Sequence, residues 1–450
     1  MFKQRILALV MIMVLTVTAL TVNVSAQDET IVDIVAGNED FSILVSLVEA
    51  AGLTEALATE GPFTLFAPTN EAFQALPDFV ADYVIAHPEL LTSILTYHIF
   101  EDAVMADDTS NMMATTVEGS ELTLAVSDMG ITVDQAHVIE ADIVASNGVI
   151  HVIDAVLVPQ IELPEVLSAD VSGDIVTAGS STVGPLSIAV VDQFVNEGYF
   201  GEITVDIIGS GAGFERFCEL GETDISNASR PIRDSEIEAC EAIGRTPIEI
   251  RVGTDALAVV INPNNEAFTA LTLEQLALAF STAETWADVD ANFPEEPILR
   301  FIPGTDSGTF DYFVEAVFDE DQEPILSASN TQLSEDDNVL LEGVANNDWA
   351  IGFFGYAYYA ENQDVLNILD IDDVTPNQEN VDAALYPLAR PLFIYTDAGI
   401  VAEKPQVGEF VSYYMSNTND LIGEVGYFPA NPFEFNLSRL IILALTDTGM

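Results

Sequence analysis

Apolar and polar positions follow two different rhythms along this chain, and the rhythm decides which elements form. Phe41, Leu44, Leu47, Val48 and Ala51 recur at three- and four-residue intervals, predicting one buried helix face that Gly52 ends. The run Phe63-Thr64-Leu65-Phe66-Ala67-Pro68 predicts a strand stopped by proline. Thr69 then predicts a cap for the next helix, with Glu71 in its positive first turn. Residues 121–126 and 131–133 predict a strand pair joined through Ser127-Asp128-Met129-Gly130. Residues 145–154 predict a turn at Asn147-Gly148 that leads into an alternating strand. Together these elements predict a small α+β unit over 28–160 with no catalytic set. A linker follows at 161–173, marked by Pro164, Ser168, Ser172 and Gly173.

From 174 to 435 the pattern changes to strand, Gly/Ser-rich turn and helix, three times over. A strand at 174–178 runs into Gly179-Ser180-Ser181-Thr182-Val183-Gly184-Pro185, and Leu186, Val190, Phe194 and Val195 then predict a helical stripe. Residues 203–208 meet Gly209-Ser210-Gly211-Ala212-Gly213, followed by Phe214, Phe217 and Cys218 on one face. Residues 298–302 meet Pro303-Gly304-Thr305-Asp306-Ser307-Gly308-Thr309, followed by Phe310, Phe313, Val314, Val317 and Phe318. A helix start leaves backbone N–H groups unpaired and carries partial positive charge, while glycine lets a ligand come close. In open α/β sheets, ligands sit beyond the carboxyl ends of strands, so three such turns can converge on one oxyanion. Each turn on its own also reads as an ordinary helix cap. A cation would complete the site. Arg230, in Asp224-Ile225-Ser226-Asn227-Ala228-Ser229-Arg230-Pro231-Ile232, stands where a strand is predicted to end, and its fork matches a tetrahedral oxyanion. Arg251, Arg300 and Arg390 read instead as surface or hinge ion pairs.

Charge narrows the function. The 450 residues hold 74 Asp+Glu against 11 Lys+Arg, yet 49% are hydrophobic, which supplies ordered cores. So acidic a surface repels nucleic acid, and no nucleic-acid partner is expected. Lys3 and Arg5, the apolar run from Ile6 to about Leu20 and the small residues Val24-Ser25-Ala26 predict an export signal over 1–26. Cleavage there leaves nine bases against 74 acids, a formal charge of −65. No Cys follows the apolar run and no later stretch reaches the roughly 20 apolar residues of a span, so an exported periplasmic or extracellular form without lipid anchor is expected. Residues 436–450 read as a packed or docked tail. In that compartment Cys218 and Cys240 either bridge or remain two buried thiols.

Chemistry is not predicted. All four histidines, His87, His98, His137 and His151, precede the second unit, so a serine nucleophile there would lack a base. The sequence Gly304–Thr309 lacks the GxSxG elbow, and His98 and His151 lack a metal-ligand spacing. Neither an enzyme, a cofactor nor a metal is expected. The aromatic cluster Trp349, Phe353, Phe354, Tyr356, Tyr358 and Tyr359 reads as sheet core.

Two resemblances then become specific. The segment Phe63 to Phe73 (FTLFAPTNEAF), the pair Tyr97-His98 and the run SNGVIHVIDAVLVP from Ser146 resemble the fasciclin-like (FAS1) adhesion domain. That resemblance implies a cell-surface or matrix partner. Tyr97 and His98 read as internal supports. GSSTVGPL from Gly179, GSGAGF from Gly209, DISNASRPI from Asp224, GTDALAVVINP from Gly253, PGTDSGTFDYF from Pro303 and YPLARPLFIY from Tyr386 resemble the phosphate-binding protein of the phosphate ABC transporter. It implies an α/β, two-lobed periplasmic-binding-protein fold (type II-like), with hinges near 254–262 and 386–395. Inorganic phosphate would be the ligand and the membrane permease subunits the partner. The implied anion ligands are Ser181, Thr182, Ser210, Ser307, Gly308 and Thr309, with Arg230 as cation. Two departures stand out: Ser229 takes the place of an aspartate common in the family, and Pro303 that of an arginine four residues before the SGT turn. Asp306 is the nearest substitute for a carboxylate that accepts the ligand proton, or else a solvated turn residue. The competing expectation is an adhesion protein whose second unit senses or stores phosphate.

Overall fold

The computed structural model describes residues 29–447 except 110–111, 128–129, 306 and 335. The expected export signal, the hairpin tip Asp128-Met129, Asp306 and residues 448–450 lie outside them. The chain forms two compact units. One comprises residues up to Ala75 with Pro88–Val156, the other Leu76–His87 with residues from Leu157 on. The helix Asp78–Ala86 therefore groups with the second unit rather than the first, burying Val80 and Val84 and donating the Tyr83 hydroxyl to Asp447 at 2.6 Å.

The first unit is built on strands β1 (Phe63–Pro68), β2 (Ile99–Phe100), β3 (Met112–Thr115), β4 (Glu121–Ser127), β5 (Gly130–Val133), β6 (Ala136–Ala145) and β7 (Gly148–Ile153), in the order β2-β1-β7-β6-β5-β4-β3. Thr69 accepts from the Ala72 amide as the helix cap its position predicts. The alternation expected for β7 is absent: Val149 to Ile153 are all buried. β7 pairs parallel to β1 on one side and antiparallel to β6 on the other, and a central strand covered on both faces needs no polar side. Tyr97 and His98 are buried supports. The Tyr97 hydroxyl bonds Asp134 at 2.5 Å and the Glu121 carbonyl at 3.1 Å, and burial lowers the His98 pKa to about 4.

The second unit is α/β. Its strands are β8 (Ile175–Gly179), β9 (Ile203–Ile207), β10 (Ile225–Ala228), β11 (Ile248–Ile261), β12 (Ala270–Leu271), β13 (Leu299–Pro303), β14 (Thr331–Ser334), β15 (Ala350–Gly355), β16 (Asn367–Ile368), β17 (Asp370–Ile371) and β18 (Ala389–Thr396). The sheet path runs β14-β13-β15-β11-β18-β10-β8-β9, with β16 on β11 and a separate β12–β17 pair. β8, β9 and β10 run parallel in one lobe, and β13, β14 and β15 run parallel in the other. β11 joins them. Its first part pairs β18 from Ile248 opposite Thr396 to Ala256 opposite Ala389, and its end pairs β15 from Leu257 opposite Gly355. The hinge segments expected near 254–262 and 386–395 thus fall on two adjacent strands that pass between lobes.

Helix α1 (Val183–Asn196) follows β8, α2 (Ser210–Phe214) follows β9, α3 (Asp234–Ala242) follows β10, and α4 (Gly308–Phe318) follows β13. Along α1, Leu186, Val190 and Phe194 are buried, whereas Val195 is 43% exposed because it lies one step past the buried stripe. Phe214, Phe217 and Cys218 are buried, and Cys218 forms a disulfide with Cys240 of α3. In the second lobe Phe313 stacks on Phe353 at 3.9 Å, and Phe353 and Phe354 are core. The tail expected from 436 begins inside a helix instead: α5 (Pro432–Thr446) runs through that boundary, and its Leu440, Ile441, Ile442 and Leu445 are buried.

All nine bases beyond the first five residues are engaged. Arg216 pairs with Asp206, Arg230 with Glu236, Arg233 with Glu320, Arg251 with Glu434, Arg390 with Asp255 and Lys404 with Asp224. Arg245, Arg300 and Arg439 donate to backbone carbonyls. Arg300 is therefore not the ion pair the sequence suggested. It is fully buried in a cage of the Ala279, Ala283 and Ser329 carbonyls, and burial lowers its pKa to about 10.

Candidate functional site: an oxyanion cleft between two lobes

Parallel pairing places the turns after β8, β9 and β10 at one edge of the first lobe. Gly179 is the anchor. Its carbonyl accepts from the Ile208 and Gly209 amides, and Ser180 N–H donates to the Asn227 carbonyl at 2.9 Å. A Cβ on Gly213 would stand 2.6 Å from the Gly179 Cα, so only glycine lets α2 start this close to the first turn. Within that turn it is Ser180 that caps α1, accepting from the Thr182 and Val183 amides at 3.1 and 3.3 Å. Ser181 and Thr182 are left to face elsewhere. Ser210 Oγ accepts from Ser229 N–H at 3.1 Å and lies 3.3 Å from Ser229 Oγ, tying the second turn to the end of β10.

On the other lobe, Ser307 caps α4 by accepting from Thr309 N–H at 3.2 Å. The two lobes meet here. A Cβ built on Gly308 would lie 3.0 Å from Ser181 Oγ and 3.5 Å from Thr182 Oγ1. The structure thus brings Ser181 and Thr182 to Gly308, and Ser210 to Ser229.

Arg230 is placed otherwise than a free cation would be. Its fork grips Glu236, Nη1 to Oε2 at 2.9 Å and Nη2 to Oε1 at 2.7 Å, and Nη1 also donates to the Pro231 carbonyl. The Phe214 ring lies 5.3 Å from the guanidinium carbon. Those hydrogen bonds raise the Arg230 pKa and, against the effect of burial, hold the Glu236 carboxyl below its ordinary range. In this structure the Arg230 fork is engaged by Glu236 at the start of α3.

The cation at the junction is Arg390, on β18. Its Nη2 donates to Thr182 Oγ1 of one lobe and to the Gly308 carbonyl of the other, the latter at 3.1 Å. Nε donates to Asp255 Oδ2 at 3.1 Å, and the Tyr312 ring lies 4.0 Å from the guanidinium carbon. Asp255 is almost wholly buried; desolvation raises its pKa while Arg390 opposes the rise. The sequence suggested a surface or hinge ion pair for Arg390; it pairs with buried Asp255, and its reach into both turns was not anticipated. The available signal was a lone acid in GTDALAVVI and a lone base in LARPLFIY, opposite charges inside two very apolar strands.

Comparison with known proteins identifies the lineage. The PBP superfamily domain matches residues 165–418 and the fasciclin domain residues 39–159. This chain belongs to the PBP superfamily. Protein SphX of Synechococcus elongatus is 42% identical over 266 residues, covering 57% of this chain and 77% of that protein. The phosphate-binding protein PstS of Staphylococcus saprophyticus is 31% identical, covering 57% and 80%. Among solved structures, a possible phosphate binding protein from Planctomyces limnophilus aligns with a TM-score of 0.56 at 36% identity, covering 62% of this chain and all of that one. The PBP superfamily chain described here thus carries a fasciclin domain ahead of its binding unit. Among the described residues, no helix is long and apolar enough to cross a membrane.

Proposed function

We propose that the second unit captures inorganic phosphate between its lobes and presents the closed, liganded form to the permease of an ABC transporter. The observation that carries this reading is Arg390, which stands on a strand shared by both lobes and bonds a turn from each. Ser181, Thr182, Ser210, Ser307, Gly308 and Thr309 supply hydroxyls and helix-start amides, and Arg390, in place of Arg230, supplies the positive charge. An anion held by both turns favours the closed population, because only there are all of its contacts made. The site binds without chemistry. The first 26 residues are read as an export signal, placing the chain in the periplasm or outside the cell.

Calorimetry of the exported chain with phosphate, arsenate and sulfate tests the reading. Heat from phosphate at low micromolar protein is expected. Silence toward phosphate rejects the reading, and equal affinity for sulfate turns the site into a general tetrahedral-oxyanion receptor.

The fasciclin domain favours a second reading, an adhesion protein whose second unit senses or stores phosphate. Phosphate uptake that survives Arg390→Ala, together with attachment that fails on deleting 28–160, would favour it.

A further inference from the structure

We propose that Asp255 is a positioning residue for anion capture: it fixes the Arg390 guanidinium at the pivot between lobes, so that one cation contacts both closing turns. The inference rests on the phosphate reading but has its own test.

Asp255 and Arg390 are direct cross-strand partners in the β11–β18 ladder, where side chains opposite each other share one face. Both strands pass between the lobes, so the pair sits where closure requires little displacement. Both side chains are buried, at 5% and 8% exposure. An unpaired charge there would be strongly unfavourable, and each residue therefore depends on the other. Held at Nε by Asp255 and flanked by the Tyr312 ring, the guanidinium has one edge fixed and directs Nη2 to Thr182 Oγ1 and the Gly308 carbonyl. Glu315 lies 3.9 Å from Nη1 and is 46% exposed, too solvated to fix the group. A lysine at 390 would keep the charge without the planar fork that reaches three acceptors at once.

The test is a double-mutant cycle on the full chain, with inorganic phosphate as ligand and calorimetry as readout. Asp255→Asn is expected to weaken phosphate binding by about tenfold or more, the effect of losing a charge-assisted bond that orients the ligand's cation. In an Arg390→Gln background the same change should do little, because nothing is left to orient. Affinity within about twofold of the parent for Asp255→Asn overturns the proposal, as does an equal loss in both backgrounds. Arg390→Lys covers the case in which Asp255→Asn does not fold: it should also lose about tenfold, and unchanged affinity overturns the proposal. Should the parent bind no phosphate, the phosphate reading fails and side-chain NMR of the ligand-free protein decides for Asp255. A slowly exchanging Arg390 Nε–H that disappears in Asp255→Asn supports positioning; one that persists overturns it.

Discussion

Arg390 and Arg230 both lie beside hydroxyl-bearing turns of the same lobed unit, and both pair with a carboxylate, yet their surroundings give them different work. Arg230 stands on a turn, and its partner Glu236 lies six residues on in the first turn of α3; each is 18% exposed. That local pair shuts the fork onto its own helix start. Arg390 stands on a strand, meets Asp255 across the ladder through Nε alone, and keeps Nη2 for the two turns. A cation becomes available to a cleft when its counter-ion takes one edge of the guanidinium and the backbone beneath it belongs to both halves.

The comparison breaks most clearly through Arg390→Ala. It strands Asp255 in the interior and should cost about 3–5 kcal/mol of stability in urea unfolding. A cost no larger than that of Arg230→Ala would put the two pairs on one footing.

A smaller effect comes from Arg251, a third cation, on β11, which separates charge burial from anion binding. Its Nε pairs with Glu434 at 3.2 Å, and nearby Asp382 has its pKa raised by burial to about 6. The unfolded value is about 3.9, so the folded protein holds this proton more tightly. Asp382 thus contributes a loss of stability as pH rises from about 4 to 6. Asp382→Asn should remove that slope from a pH series of melting temperatures while leaving phosphate affinity unchanged. The smallest effect is expected for Arg230→Ala: about 1 kcal/mol or less, since the pair is partly exposed, and phosphate affinity within about threefold. A hundredfold loss of affinity would return the cationic role to Arg230.

The fold was largely legible because its signals are local. Phe63–Pro68 is a strand at the predicted residues, Thr69 caps the helix it precedes, and the three hydroxyl-rich turns open helices after their strands. Parallel pairing puts the turns after β8 and β9 at one edge, whereas the turn before α4 meets them only through the contact of Gly308 with Ser181 across the lobes. What could not be read was which side chain in a turn is consumed by capping: Ser180 and Ser181 are adjacent hydroxyls, and only backbone direction makes the first the cap. The same holds for cations. Arg230 looked free because Glu236 is hidden in an acidic stretch, while the partner of Arg390 is 135 residues away and depends on strand register. The helix at Asp78–Ala86 reads locally as part of the first unit, and only long-range packing assigns it to the second.

The engagement of all nine bases by acids and carbonyls bears on capture kinetics. With its few positive groups paired to acids and carbonyls of the same chain, the protein meets the solvent as a polyanion, and an arriving dianion climbs a repulsive field before it reaches the cleft. Added salt should therefore speed phosphate association, the reverse of ordinary electrostatic steering, and stopped-flow rates that fell with ionic strength would mean that the cleft projects its own local attraction.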